Sequence, residues 1–331
     1  MPKKIFLPCL FLFLFFAGAC AIMEEQQSNS AESKAKAILR AQQSVAPRAT
    51  GSFPERWIHG ADEANDPRSQ IHAYNDDTYI IRQSKFETFE APFLFLIFGQ
   101  ERVLLLDTGA NRDTPVAEPV EAIIREWLAR NGRESIDLIV QHTHGHRDHV
   151  QGDSQFEGAP FVTEVVSTRQ KAYEASWGFT DYPLDTPTID LGGRVLDVLG
   201  TPGHHPASVT LYDRETQLLL TGDIVYAGHL FVFSPNSWPK FVASIERLVE
   251  WAAEHPIHAV VGCHIESNSE PFQHFAWGTR VHPNEHVLEL APTVLTTIFA
   301  ACIELGDDPE YTTGAEFVIH PVYKRPIRYN E

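Results

Sequence analysis

His142 to His149 reads HTHGHRDH, placing four histidines and an aspartate in eight residues. Directly before it, IDLIVQ (136–141) is an apolar, β-branched run of strand length, so the histidines begin where a buried strand ends. Residues two apart on an extended chain face the same side, which places His144 and His146 to grip one ion. Asp148 and His149, just beyond, offer an oxygen and a nitrogen to a second. Neutral imidazole and carboxylate are the donors that zinc and its borderline neighbours take.

Working outward, further donors stand where other strands stop. Thr201-Pro202-Gly203-His204 follows RVLDVLG (194–200), Thr221-Gly222-Asp223 closes QLLLTGD (217–223), and Gly262-Cys263-His264 closes IHAVVG (257–262). Carboxylates buried among histidines require a cation or a proton, and ligands gathered from strand tips on one edge make a rigid site. His142 reads as structural, Cys263 as packing, His205 as outside the ligand set, and His274, His282 and His286 as surface residues.

The chain around these tips alternates strands and helices. TYIIRQ (78–83), FLFLIFG (93–99) and RVLLLD (102–107) are β-rich runs; Thr114 to Arg130 has apolar residues at helical spacing and stops at Asn131-Gly132. PFVTEVV (160–166) and SVTLYD (208–213) read as further strands, and Trp238 to Glu254 as an amphipathic helix. Strands followed by helices, twice over, predict an α/β (α+β) architecture of two mixed sheets packed together with helices outside. Residues 71–270 are expected to form the catalytic domain, and 271–331 a C-terminal extension packed on it, with a helix near His286 to Leu305.

Upstream, MPKKIFLPCLFLFLFFAGACA has two lysines, an apolar run and small residues before Cys20, the layout of an export signal over residues 1–20. The AGAC ending resembles a bacterial lipobox, which makes Cys20 the candidate lipidation site and predicts an exported, periplasmic or membrane-anchored lipoprotein. Residues 21–70 are polar and read as a tether, with one short helix across Ala31 to Gln43 and compact structure starting near Ile71 to Thr78. Past the signal only Cys263 and Cys302 remain, as one disulfide or two buried thiols. A net charge of −18 over 331 residues disfavours nucleic acid as a partner and leaves a small-molecule substrate.

Taken together, HTHGHRDH, TPGHH, TGD and the late His264 resemble the metallo-β-lactamase-fold hydrolases, over about Thr78 to His264 and including LLLDTGA (104–110). The resemblance implies a four-layer αββα sandwich with the metals at one edge of the sheets. It implies that His144, His146 and His204 hold one divalent ion, that Asp148, His149 and His264 hold the other, and that Asp223 bridges them, with Asp107 buttressing from behind. Zinc is the first expectation for both ions, iron or manganese the alternatives.

Such a pair lowers the pKa of a shared water to about 7, so the chemistry implied is attack of a dinuclear-metal-bound hydroxide on an ester-like carbonyl, with Asp148 orienting the nucleophile. Asp223 stands where the broad-spectrum lactamases usually present cysteine, which favours the lactonase and glyoxalase II-like branch and a lactone, thioester or related acyl substrate. The offset from Asp223 to Tyr226 resembles that of the lactonases and makes Tyr226 a candidate donor to the substrate carbonyl. A mononuclear iron persulfide dioxygenase, a β-lactam hydrolase and a binding lipoprotein with a vestigial site are the alternatives.

Overall fold

The computed structural model describes residues 50–60, 65–166 and 168–327, together with Ser33 and Lys36. The export segment, Cys20 and nearly all of the expected tether helix lie outside the described residues.

Three strands explain how the sheet acquires two buried faces. β2 (Thr78–Gln83), β3 (Phe93–Phe98) and β4 (Arg102–Leu106) are almost continuously buried. Side chains alternate across a strand, so Phe93, Phe95 and Ile97 enter one core while Leu94, Leu96 and Phe98 enter another. These belong to a six-stranded sheet in the order β1-β2-β3-β4-β5-β6, with β1 (Ser69–Asn75), β5 (Asp137–Gln141) and β6 (Val162–Val165) completing it. On its outer face lies α1 (Ala117–Asn131), burying Val120, Ile123, Ile124 and Trp127 and ending at the left-handed Gly132. A side chain such as Phe95, buried from solvent, contributes about 1.5–3 kcal/mol.

The inner core is shared with a second six-stranded sheet, built from β7 (Thr188–Asp190), β8 (Val195–Gly200), β9 (Val209–Asp213), β10 (Leu218–Gly222), β12 (Ala259–Gly262) and β13 (Glu289–Leu290). Its helices, α4 (Trp238–Glu254) and α5 (Thr293–Leu305), bury Phe241, Ile245, Leu248 and Ile298, Phe299 into the same cluster. Two short helices, α2 (Arg147–Val150) and α3 (Gln170–Ser176), follow β5 and β6. The layering is αββα, as the sequence predicts.

Several expected boundaries move. Compact structure begins before Ile71: Trp57 is buried, its ring edge-on to Phe93 at 4.9 Å, and Ser52 N–H donates to Tyr74 O at 2.9 Å. The C-terminal region packs on the rest by strand pairing: β13 pairs with β12, and β15 (Val318–Pro321) pairs in parallel with β11 (His229–Val232), forming a small third sheet with β14 (Thr312–Thr313). The last helix starts at Thr293 rather than near His286. Pro292 disfavours helical backbone in the residue before it, and 289–290 are taken by β13. Among the described residues, no helix is long and apolar enough to cross a membrane.

Candidate metal centre

The site is assembled from strand exits on one edge of the sandwich. β5 stops at Gln141, the chain runs through His142, Thr143 and His144, and His146 caps the single turn of α2, which carries Asp148 and His149. His204 follows β8 by a turn pinned from α4, where Ser244 Oγ donates to Pro202 O at 2.6 Å. Asp223 follows β10 through Gly222, whose φ of +54° favours glycine and where a Cβ would meet Thr143 Cβ at 2.9 Å. His264 follows β12, fixed to the first sheet by Phe93 N–H donating to Cys263 O at 2.8 Å.

These exits bring the predicted donors into two adjoining groups, His144, His146 and His204 in one and Asp148, His149, Asp223 and His264 in the other. In the first, His146 Nδ1 lies 3.0 Å from His144 Nε2 and 2.9 Å from His204 Nε2. In the second, Asp148 Oδ2 is 3.2 Å from both His149 Nε2 and His264 Nε2. Asp223 spans the two: Oδ2 is 3.3 Å from His149 Nε2 and 3.5 Å from His204 Nε2, and Oδ1 is 3.4 Å from His264 Nε2.

The rear partners of the imidazoles fix which nitrogen faces inward. His149 Nδ1–H donates to Asp107 Oδ2 at 2.8 Å, His204 Nδ1–H to Phe231 O at 3.2 Å, and His264 Nδ1–H to Glu90 O at 3.0 Å. Thr143 Oγ1 gives its proton to Asp107 Oδ2 at 2.9 Å and is left to accept from His144 Nδ1 at 3.2 Å. In its neutral form each of these rings therefore turns an Nε2 lone pair toward its neighbours. Lone pairs and carboxylate oxygens crowded at about 3 Å repel unless something positive lies among them. His149 Nε2 and Asp223 Oδ1 are buried without a hydrogen-bond partner. This donor chemistry fits divalent cations.

Charge follows the same division. Burial disfavours the cations of His144, His146 and His204, holding all three below the usual imidazole range, His204 down to about 4. Burial also opposes charge on His149 and His264, yet Asp148 and Asp223 outweigh it and hold both well above that range. Asp148 and Asp223, despite burial, stay ionised far below the usual carboxylate range because His149 and His264 face them.

Asp107 takes the buttressing position. Fully buried at the end of β4 with φ +69°, it accepts from Thr143 N–H at 2.7 Å as well as from Thr143 Oγ1 and His149. Cys263 S–H points to the same carboxylate at 3.5 Å, and burial pushes its thiol far up; with Cys302 it is a buried free thiol. His142 is structural as expected, its Nδ1–H donating to His149 O at 3.2 Å. His205 is turned back on its own loop, with Nδ1 against Ala207.

Tyr226 departs from expectation. Its ring lines the cleft beside His264, but its hydroxyl donates inward to His229 O and lies 3.2 Å from Glu266 Oε2. A proton so committed is not available to a substrate carbonyl.

The centre opens on a cleft of about 550 Å³. Phe89, Phe231, Phe233 and Trp277 wall it, with Glu90 and Glu266 among the polar groups; burial and the neighbouring Asp148 raise the Glu90 carboxyl to about 7. Sequence reading missed these walls. Phe231 lies on β11 and Trp277 on a long loop, and the pairing of β11 with β15 helps bring the C-terminal region to the site. The one available signal was the aromatic run FVF (231–233).

The chain has relatives among known proteins. Acyl-coenzyme A thioesterase MBLAC2 of Bos taurus is 26% identical over 221 residues, covering 58% of this chain and 79% of the bovine protein. A hydroxyacylglutathione hydrolase of Synechococcus sp. (strain JA-2-3B'a(2-13)) is 32% identical over 151 residues, 43% of this chain and 53% of that protein. Among solved structures, a metallo beta lactamase from Erythrobacter litoralis aligns over 73% of this chain and 99% of its own, with 12% identity and a TM-score of 0.45. Residues 88–254, about half the chain and including the strand exits that carry His144 to Asp223, match the family model, and the chain belongs to the metallo-β-lactamase superfamily.

Proposed function

We propose that this protein is a metal-dependent hydrolase that cleaves an acyl thioester. The observation that carries the reading is the convergence of imidazole lone pairs and ionised carboxylates, with His149 Nε2 and Asp223 Oδ1 unpartnered, at the floor of an aromatic-walled cleft. His144, His146 and His204 would hold one divalent ion and Asp148, His149 and His264 a second, with Asp223 between them; zinc suits this nitrogen and oxygen set. Bound there, such ions supply an activated water near neutral pH and an electrophilic contact for the carbonyl.

The chain's own residues do the rest. Asp148, ionised and with 14% of its side chain exposed to the cleft, is placed to take a proton from the attacking water. Asp107 holds the His149 ring in register. Phe89, Phe231, Phe233 and Trp277 bind an apolar acyl group and exclude bulk water from the carbonyl. Thioesters are favoured over lactones and β-lactams because the relatives above are named for thioester substrates and because Tyr226 does not offer its hydroxyl to the cleft. The export and lipidation of the chain through Cys20 belongs to the same proposal and rests on the sequence alone; Cys20→Ala should abolish labelling by a radioactive fatty acid.

The test is a hydrolysis panel of acyl thioesters, lactones, β-lactams and phosphodiesters, with metal content measured in parallel. About two zinc-class ions per chain and turnover of thioesters, abolished in His146→Ala, are expected. A single iron with oxygenation of persulfides, or unchanged turnover in His146→Ala, overturns the reading.

A further inference from the structure

Beside the cleft lies a second cavity of about 470 Å³, and Trp277 and Ile327 line both. Its other walls come from the C-terminal region: Tyr311 before β14, His320 within β15, and Lys324 and Arg325 in the turn that follows. The Arg325 guanidinium lies 3.9 Å over the Tyr311 ring. Lys324 is largely spent, bridging Asp308 and Glu310, whereas exposed Arg325 meets no carboxylate among the described residues.

Two histidines back this cavity with their rings. His320 and His229 are each only 6% exposed. Their Nε2 atoms reach Arg325 O at 2.7 Å and Phe275 O at 3.0 Å, so both donate there, and both Nδ1 atoms are buried without a partner. Flat aromatic faces and a guanidinium already stacked on one of them form a combination suited to a purine-like base and its phosphates. A fixed cation beside the cleft also stands out on a chain of net charge −18.

We propose that this second cavity seats the nucleotide end of a thiol leaving group. The substrate would run from an acyl group among Phe231, Phe233 and Trp277, past Ile327, to a phosphate-bearing end at Arg325 and Tyr311. This rests on the thioester reading and deepens it: it selects a nucleotide thiol such as coenzyme A over a tripeptide thiol such as glutathione.

Calorimetric titration of the intact protein with ADP, inorganic phosphate and glutathione tests the cavity without turnover. ADP binding that weakens about tenfold in Arg325→Ala and in Tyr311→Ala is expected, with inorganic phosphate and glutathione binding far more weakly. With one acyl group carried on two thiols, Arg325→Ala should raise KM about tenfold for the coenzyme A ester. The same variant should leave the N-acetylcysteamine ester unchanged in both kcat and KM. Equal loss on both esters overturns the proposal, as does phosphate binding as tightly as ADP, or ADP not binding at all. If no thioester of any kind is hydrolysed, the thioester reading fails by itself, and the ADP titration still decides whether the cavity takes a nucleotide.

Discussion

Asp107 Oδ2 lies 2.8 Å from His149 Nδ1, and the same carboxylate receives the backbone N–H and the hydroxyl of Thr143. One buried acid thus orients His149 directly and His144 through Thr143, one donor in each of the two groups. Replacing it by asparagine keeps the shape but offers an amide where His149 needs an acceptor. Asp107→Asn should lower metal affinity about 10- to 100-fold. Zinc titration of the purified variant reads this directly; wild-type affinity would mean that Asp107 serves packing alone.

Chelation should destabilise the fold as well as stop turnover. Cations that bind only the folded donor set add about 2.7 kcal/mol at a hundredfold excess over Kd. Thermal unfolding with chelator, then with zinc restored, is the measurement. A melting temperature indifferent to both would argue against ions held between His144, His149 and Asp223.

Tyr226→Phe separates two roles for one hydroxyl. Since that hydroxyl donates to His229 O within the protein, its removal leaves a buried carbonyl unpaired and should cost about 1–3 kcal/mol of stability. Turnover at saturating substrate should change less than about threefold, well under 1 kcal/mol of transition-state stabilisation. A large fall in kcat with stability intact would restore Tyr226 as the donor to the substrate carbonyl.

The C-terminal region is locked by an ion pair far from the metal centre in sequence. Arg82, fully buried on β2, meets Glu285 at 2.5 and 2.7 Å, with His282 and Lys85 in the same cluster. Burial would raise the Glu285 carboxyl, but Arg82 outweighs it and holds it down to about 2. A carboxyl with a depressed folded pKa stabilises the protein above its ordinary value, near 4.5, and loses that contribution as pH falls toward 2. Glu285→Gln leaves the Arg82 charge uncompensated and should cost about 3–5 kcal/mol at neutral pH. Its stability should also fall less steeply than wild type between pH 4.5 and 2. Urea unfolding across that range, with chelator present in both proteins, checks the prediction; parallel pH profiles would refute it.

Each donor was legible because it stands beside a signal that is local. The runs IDLIVQ, RVLDVLG, QLLLTGD and IHAVVG announce buried strands through composition, and the glycines and prolines after them announce where each strand lets go. The two-sided burial of β3 was likewise written in FLFLIF, since alternation with no polar position leaves no face for water. Short pairings were not legible. β13 spans only Glu289–Leu290, and β11 carries no alternation that separates it from a loop; both exist because a neighbouring strand offers free backbone groups.

By itself, then, the sequence determined the layered architecture and the identity of the clustered imidazoles and carboxylates, because periodicity and strand ends are properties of adjacent residues. The tertiary structure alone decided which nitrogen of each histidine faces inward, that the Tyr226 hydroxyl is turned to His229, and that Trp277 and Ile327 stand between two cavities. Those outcomes depend on partners such as Phe231 O, Glu90 O and Phe275 O, which belong to distant segments and meet these side chains only when the sheets pack.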